Sequence, residues 1–492
     1  MTLHLAIDLG AGSGRAILGR LEPDSLDLEE VHRFHYAPRR VAGHLRWDVE
    51  ALFDGVRAGL AAGGAGAARR NGCLASVGVD AWGVDYGLVD PDGRLVEEPI
   101  GYRDSRTDGM MERVFAVVPR DEVFRRTGIQ FMQLNTLYQL AAHAQEGIPE
   151  RAARLLLIPD LCHHLLCGTQ VAERTDASTT QILNVRTGEW DDDLLCRLRL
   201  PRHLMPPLVG TGADLGPLRE TLACSPGLAG TRVVAPPTHD TASAIAATPL
   251  EPGWAYISSG TWSLVGIERT APVLSDAASR ANFTNEVGAF GTICFLKNVM
   301  GLWLLESCRR EWTASGQGRE LTDLLARAAA VPGFVGLVVP DQPRFFNPAS
   351  MVRELQDALR ATGEPAPDDP VLLTKVVLDS LALRYASVVE TIERVTGSPI
   401  VGIRVVGGGS LNDTLNQATA DATGRPVLAG PAEATAVGNL LVQAVAFGTL
   451  SSLAHGRALV GRSEPPRRFE PRDVPAWQDA CRRYRALEGP DL

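Results

Sequence analysis

Residues 5–20, LAIDLGAGSGRAILGR, run apolar, turn through glycines, and run apolar again. That pattern predicts a β-hairpin with a glycine-rich turn. A further apolar stretch follows near 28–36. Residues 49–70 are Ala-rich and predict a helix with a Gly-interrupted middle. LASVGVDAWGVDYGLVDPDG, residues 74–93, predicts two strands around a bend at Trp82–Gly83, closed by a turn at Pro91–Gly93. Helical periodicity marks 107–125 and 136–167, and the Pro/Gly-rich segment 201–230 reads mostly as loop. VVAPPTHDTASAIAA (233–247) reads as strand, turn and helix start. Further helices are expected at 298–313, 319–330, 370–396 and 438–450. IVGIRVVGGGSLNDTLNQATADATG (400–424) reads as strand, glycine turn and helix.

The segment GWAYISSGTWSLVGIER (253–269) repeats the opening design about half a chain later. AIDLGAGSGRAILGR and AYISSGTWSLVGIER each place a small-residue turn, at Gly10 and Gly260, between two strands. Two α/β domains follow, each carrying a hairpin whose turn faces the other. The expected boundaries are 1–245 and 246–455, with a peripheral tail, rich in Arg and Pro, at 456–492.

Composition narrows the class. The chain has 492 residues, enough for two or more domains, with 45% hydrophobic and 22% charged residues. A net charge of −10 argues against nucleic acid or an anionic membrane as the main partner. The eight cysteines are scattered without a C-x-x-C pair, as in a reducing compartment. No signal peptide or long apolar span is visible, so a cytoplasmic protein is expected, as monomer or small homo-oligomer. Only two lysines occur, Lys297 and Lys375, and neither follows a glycine, which excludes a G-x-x-x-x-G-K-[ST] phosphate loop.

Asp8 stands at the entrance of the first glycine turn. The turn reads G-x-G-x-G, with Arg15 where a dinucleotide fingerprint needs its last glycine, and a strand rather than a helix follows. Two like charges about 4 Å apart cost about 4 kcal/mol at an effective dielectric near 20. A carboxylate beside phosphate therefore calls for a cation between them, and Mg²⁺ is held through one or two carboxylates plus phosphate oxygens and waters. On this reading Asp8 is a magnesium-side carboxylate. Gly12 and Gly14 let backbone N–H groups approach the phosphates, and Ser13 and Arg15 donate from their side chains. The alternative is a tight hairpin with Asp8 as its cap. Ser258 to Thr261 would grip a polyphosphate from the other side, and Gly407 to Gly409 offer a flat surface for adenine or ribose.

A transferred phosphoryl group also needs a base for the attacking hydroxyl. Asp240, in the turn THDTAS, sits at an expected helix start where unpaired N–H groups stabilise a carboxylate. It reads as the base or, alternatively, as an N-cap alone. Trp82 could pack on a sugar face with Gly83 allowing close approach, and Asp80 or Asp85 could accept sugar hydroxyls. Asn298 is expected at the start of an apolar helix, capping it or binding a ligand. His143, His163 and His164 read as structural.

Taken in order, IDLGAGSGR, GVDAWGVDY, YRDSRT, GIQF, NTLYQL, HDTASA, SSGTWSL, TNE, LKNVMGLWLL, DSLAL, VVGGG and AGPAEATAVGN resemble the FGGY family of carbohydrate kinases over nearly the whole chain. The resemblance implies two actin-like, ribonuclease-H-like α/β domains flanking a cleft. YRDSRT, NTLYQL and LKNVMGLWLL favour members that use ATP and Mg²⁺ to phosphorylate L-rhamnulose at its 1-hydroxyl. It further implies ATP contacts at Ala11, Gly12, Ser13, Gly14, Arg15, Thr261, Glu306 and Gly407 to Gly409. Sugar contacts would be Trp82, Gly83, His239, Asp240, Thr241 and Asn298, with Asp240 as proton acceptor and Asp8 holding Mg²⁺ through water. Glu306 stands where the family pattern has glutamine, Gly12 where serine is common, and Ala81 where it has threonine. The last departure leaves a related ketose, such as L-fuculose or xylulose, as an alternative substrate. Outside this class stand a non-catalytic actin-like nucleotide binder and a pyridoxal-phosphate enzyme using Lys297.

Overall fold

The two expected hairpins are present, each at the centre of its own sheet. The computed structural model describes residues 2–489. The first hairpin joins β1 (Thr2–Leu9) to β2 (Ser13–Glu22), with Asp8 opposite Arg15. β3 (Ser25–His35) follows in the same sheet, and helix α1 (Val49–Arg69) covers one face. Strand β4 (Ser76–Ala81) lies parallel to β1 on its other side, which sets Asp80 beside Asp8. With β5 (Asp214–Pro217) and β6 (Arg232–Val234) the order is β5-β6-β4-β1-β2-β3. β1 and β4 are buried almost throughout, as expected of strands covered on both faces. The glycines that interrupt α1 have a packing reason. A Cβ at Gly55 would lie 2.1 Å from Phe34, and one at Gly63 would lie 2.6 Å from Leu5.

The second sheet repeats the plan. Helix α2 (Asp240–Ala247) leads to the hairpin of β7 (Trp254–Ser259) and β8 (Trp262–Arg269). β9 (Thr284–Val287) and β10 (Ile293–Met300) extend one side. Helices α3 (Trp303–Ala314) and α4 (Pro370–Thr396) pack nearby. β11 (Gly402–Val406) runs parallel to β7, as β4 does to β1. After α5 (Asp413–Thr423) comes β12 (Val427–Ala429). Helix α6 (Ala434–Ala446) then crosses back and packs on α2, β1 and β4 of the first sheet. Its Gln443 donates to the Leu5 carbonyl at 3.0 Å and accepts from Ser76 Oγ at 2.6 Å. A Cβ at Gly438 would sit 1.8 Å from the Ser243 carbonyl oxygen, so the α2–α6 contact requires glycine there.

Four expectations fail for identifiable reasons. The run 107–125 is two helices, Met110–Phe115 and Arg120–Thr127, parted just before Pro119. The run 136–167 is two helices, Thr136–Glu146 and Ile158–Cys167, separated by the strand Arg154–Leu157. Gly147, at φ 103°, and Pro149 stop the first helix. The helix expected from 298 starts at Trp303, because residues 293–300 pair with β8 along their whole length. The segment 456–492, as far as it is described, is not peripheral. Its strand β13 (Arg467–Phe469) pairs with β12, completing the order β9-β10-β8-β7-β11-β12-β13. Helix α7 (Val474–Glu488) buries Trp477, Ala480 and Tyr484 against the second core. Its Glu488 accepts from Arg384, which is 1% exposed, at 2.5 Å, while Asp341 holds the same guanidinium at 2.7 Å. The many arginines of the tail hid a stripe at 477, 480 and 484, whose spacing is helical. Among the described residues no helix is long and apolar enough to cross a membrane.

Candidate active site

The turns of both hairpins, the 407–408 turn and the start of α2 meet around one cleft cavity of about 290 Å³. Tyr36 fixes the first turn by donating its hydroxyl to the Gly10 carbonyl at 2.5 Å, and Gly10 N–H donates to the Ser13 carbonyl at 2.9 Å. Gly10, Ala11 and Arg15 line the cavity. Gly14 packs behind it: a Cβ there would lie 2.4 Å from the Phe34 ring. A Cβ at Gly12 meets nothing within 4 Å, so a serine would fit in its place. From the second half come Ser258 to Trp262, Gly407 and Gly408. Gly407 has φ 79°, the left-handed region glycine favours. Gly409 lies against β7, where a Cβ would fall 2.0 Å from Ser259 Oγ.

Carboxylates gather at one end. Asp8 is buried and takes two contacts from Arg15 on a single oxygen, Nε at 2.8 Å and Nη2 at 2.6 Å. Arg15 also reaches Glu433 at 2.9 Å. Asp240, the first residue of α2, faces the same space. Burial, then the charge of Asp8, pushes its carboxyl up to about 7. Burial raises Asp80 as well, and Asn439 donates to it at 2.5 Å. Of these carboxylates only Asp8 and Glu433 contact the Arg15 guanidinium, and of the three aspartates only Asp8 and Asp240 line the cavity, with Asp80 behind them.

The turn carrying Asp240 is held from behind. Buried Glu173 accepts from Thr238 N at 3.1 Å, Thr238 Oγ1 at 3.1 Å and Thr211 Oγ1 at 2.8 Å. Thr175, which donates to Glu173, accepts from His239 N at 3.2 Å. His239 then stands between carboxylates, Nε2 3.4 Å from Asp240 and Nδ1 3.4 Å from Glu286. Burial lowers its basicity and raises that of Glu286. Asn298 approaches Glu286 at 3.4 Å, and Gln130 clasps Asn298 by accepting from its backbone N at 2.8 Å and Nδ2 at 3.2 Å.

Most expected residues converge: Asp8, Ala11, Arg15, Trp82, Gly83, His239, Asp240, Thr241, Thr261, Asn298, Gly407 and Gly408 all line the cavity. Asn298 does so from the end of a strand, not from a helix start. Asp85 does not serve a sugar. It is fully buried and saturated by Trp47 Nε1 at 2.7 Å, Trp82 Nε1 at 3.0 Å, Gln139 Nε2 at 3.0 Å and Tyr102 N at 3.2 Å. Asp80 points its paired oxygen at α6 instead. Glu306, in the first turn of α3, lies outside the lining and pairs with Arg309 at 2.6 Å. Ala81 is buried in the first core, so the departure from threonine there does not touch the cavity. Gln130, Glu173 and Glu286 escaped the sequence reading. GIQF and TNE carried two of them as motif letters without a role, and no local signal marks Glu173.

Val84, beside Gly83, has φ 72°, rare for a β-branched residue. Thr136 Oγ1 at 2.7 Å and Gln139 Nε2 at 3.2 Å both donate to its carbonyl and hold it there. The wall under Trp82 is therefore held in place, with the Trp47 ring tilted at 42° against it, 4.6 Å between centroids.

The model of the FGGY family of carbohydrate kinases, N-terminal domain, matches residues 3–246, and that of its C-terminal domain matches 255–447. The chain is 41% identical over 478 residues to a rhamnulokinase of Bacteroides thetaiotaomicron, covering 96% of this chain and 97% of that one. It is 38% identical over 477 residues to a rhamnulokinase of Bacillus subtilis, covering 96% of each. Among solved structures, a ligand-bound xylulose kinase from Lactobacillus acidophilus superposes with a TM-score of 0.81 at 15% identity, covering 100% of this chain and 99% of that one. Plasmodium falciparum glycerol kinase with ADP gives 0.77 at 14% identity, covering 100% and 98%. These structures share the two-domain, actin-like α/β fold. With both domain models matched in order along nearly its full length, the chain belongs to the FGGY family of carbohydrate kinases.

Proposed function

We propose that the chain transfers the terminal phosphoryl group of ATP to the 1-hydroxyl of L-rhamnulose. The single observation that carries the chemistry is Asp240, a carboxyl with its affinity for protons raised to about 7, between the two hairpin turns and the polar wall of His239 and Asn298. The full-length likeness to rhamnulokinases supports the choice of sugar.

The residues take the following roles. Backbone N–H groups of Ala11 to Arg15 and the Thr261 hydroxyl hold the phosphates from the two sides, and Gly407 to Gly409 form the floor for the nucleoside. The sugar lies against Trp82 and Gly83, with His239, Thr241 and Asn298 receiving its hydroxyls. Asp240 accepts the proton of the 1-hydroxyl as that oxygen attacks. A base with an affinity near the working pH is both available and strong enough, a contribution of roughly 10²–10⁴-fold. Glu173 and Thr175 keep the base in place. Among the described residues no cluster of three or more His, Cys, Asp or Glu is arranged to hold a metal, so a hard divalent cation here would rest on one carboxylate together with phosphate oxygens and waters. Asp8 would hold Mg²⁺ through water, and the ion would neutralise phosphate charge there. The first half, 1–245, and the second, from 246 through the tail that completes its sheet, are the bodies that close over the substrates, excluding water and suppressing ATP hydrolysis.

The test is a coupled ADP-release assay with L-rhamnulose, L-fuculose and xylulose. L-Rhamnulose should give the highest kcat/KM. A tenfold preference for either other ketose would overturn the assignment.

A further inference from the structure

A second cavity, of about 640 Å³, adjoins the first beyond Gln130 and Asn298. Its walls come from both halves of the chain. The two halves are stitched there by Phe131 N, which donates to Asn282 Oδ1 at 2.8 Å, and by Asn282 Nδ2, which donates to the Phe131 carbonyl at 3.2 Å. Against a chain of net charge −10, this cavity is cationic.

Its charges divide into two groups. Some are already engaged. Arg384 holds Asp341 and Glu488, and Arg344 faces Glu354 at 3.7 Å. Arg103 lies 4.0 Å from the Trp303 ring and donates to the Phe346 carbonyl. Of the three carboxylates two are well engaged, and Asp108 has a single neutral amide at 3.4 Å. Asp104 serves His44 and the Leu45 N–H, Asp341 serves Arg384 and the Met300 N–H, and Asp108 accepts from Gln133. Four of the cations, Arg103, Arg120, Arg280 and Lys297, form no ion pair among the described residues, and Arg103 is set apart by the rings packed around its guanidinium. The other three remain.

These three lie around one corner. Arg120 sits 4.3 Å over the Phe131 ring, whose backbone is bonded to Asn282. Arg280 closes the short helix Asp276–Arg280 just before Asn282. Lys297 Nζ reaches the carbonyl of Ala281, between them, at 2.8 Å. Lys297 is 5% exposed, and that carbonyl is its one hydrogen-bond acceptor among the described residues. An ammonium carries three donors, so two stay free beside the cavity. Burial lowers its proton affinity to about 8, which leaves it charged at neutral pH. A buried, unpaired charge is costly until an anion meets it. The remaining wall is of another kind: the Trp262 and Phe346 rings with the polar groups of Ser105, Gln130 and Asn347. The Arg103 guanidinium lies over both rings, 5.7 Å from Trp262 and 5.0 Å from Phe346, so a sugar would meet the rest of the aromatic wall together with the amides and hydroxyls at its edge. The volume far exceeds that of a bare phosphate.

We propose that this second cavity binds a small phosphorylated sugar, its phosphate held by Arg120, Arg280 and Lys297 and its carbon skeleton against Trp262 and Phe346. The site spans both halves and abuts the Gln130–Asn298 clasp. Occupancy is therefore coupled to sugar affinity in the cleft, and the coupling is reciprocal. The proposal does not depend on which sugar the cleft phosphorylates.

The experiment is isothermal titration of the full-length protein saturated with Mg²⁺ and a non-hydrolysable ATP analogue, so that the hairpin turns are filled. The probes are L-rhamnulose 1-phosphate, inorganic phosphate and L-rhamnulose. The sugar phosphate should bind at least about tenfold more tightly than inorganic phosphate. Arg120→Gln and Arg280→Gln, both near the surface, should each weaken it about tenfold while leaving L-rhamnulose binding unchanged. Affinity unmoved by either substitution, or inorganic phosphate bound as tightly as the ester, would overturn the proposal. The titration reads binding rather than turnover, so an error in the cleft's own substrate would not produce the same failure.

Discussion

Asp240→Asn separates the chemistry of the base from its cost to the fold. The native carboxyl is raised from about 3.8 to about 7, mainly by burial and next by Asp8. A shift of about 3 units corresponds to about 4 kcal/mol at most. The side chain is 33% exposed to the cleft, and solvent screening reduces that to roughly 1–2 kcal/mol. The sign follows from linkage. Below the unfolded value both states hold the proton and the substitution changes nothing. Between about 4 and 7 the native state keeps a proton that the unfolded state has lost, so native stability falls as pH rises. Above about 7 the loss is complete. The amide introduced by the substitution carries no charge to desolvate, so the variant should gain on the native protein from pH 4 upward and level off above pH 7. Differential scanning calorimetry at pH 5 and 8.5 would read this as a melting-point advantage that is larger at the higher pH. Turnover should fall by roughly 10²–10⁴-fold with the sugar KM changed only a few-fold. The native kcat/KM for sugar should fall below pH 7 with a slope of one. A variant less stable than the native protein at pH 8.5, or an advantage independent of pH, would refute the reasoning. So would turnover above a tenth of native.

Three further outcomes follow from packing and charge. Gly409→Ala drives a methyl into Ser259 Oγ and should cost about 1–3 kcal/mol, raising the KM for ATP, as thermal melts and initial rates would show. Arg384→Met leaves the buried Glu488 and the partly exposed Asp341 without their cation and should destabilise by about 3 kcal/mol in denaturant titration. Glu306→Gln should change the KM for ATP by less than about threefold, because Glu306 turns away to Arg309 and does not line the cleft.

What could be read from the sequence was local. Both hairpins, α1, the turn before α2 and the glycine turn after β11 announce themselves through apolar runs broken by small residues, since such breaks are made by the backbone alone. Asn298 was placed among the right residues but on the wrong element. The run ICFLKNVM is apolar enough for either element, and only pairing with β8 decides for strand. Asp80 and Asp85 looked like sugar ligands because a polar residue in an apolar strand looks functional. Their partners, Asn439 and Trp47, are 359 and 38 residues away. Glu173 was illegible for the same reason: its importance lies in Thr238 and Thr211, far along the chain and brought in by the fold.

The doubled scaffold also explains why its two hairpins are loaded so differently. In the first, parallel strands set Asp8 beside Asp80, and Asp240 joins them from α2. In the second, the equivalent strands set Ser258 beside Val406. A polyphosphate held between two acidic hairpins would need its repulsion cancelled twice. Held between one acidic and one neutral, donor-rich hairpin, it needs a single cation on one side and hydrogen bonds on the other. The acidic side is also where a base must sit, since the field of Asp8 that repels phosphate is part of what raises Asp240. One carboxylate thus tunes another, and on the proposed function the same asymmetry would set the sugar toward the acidic half and the nucleotide toward the neutral one.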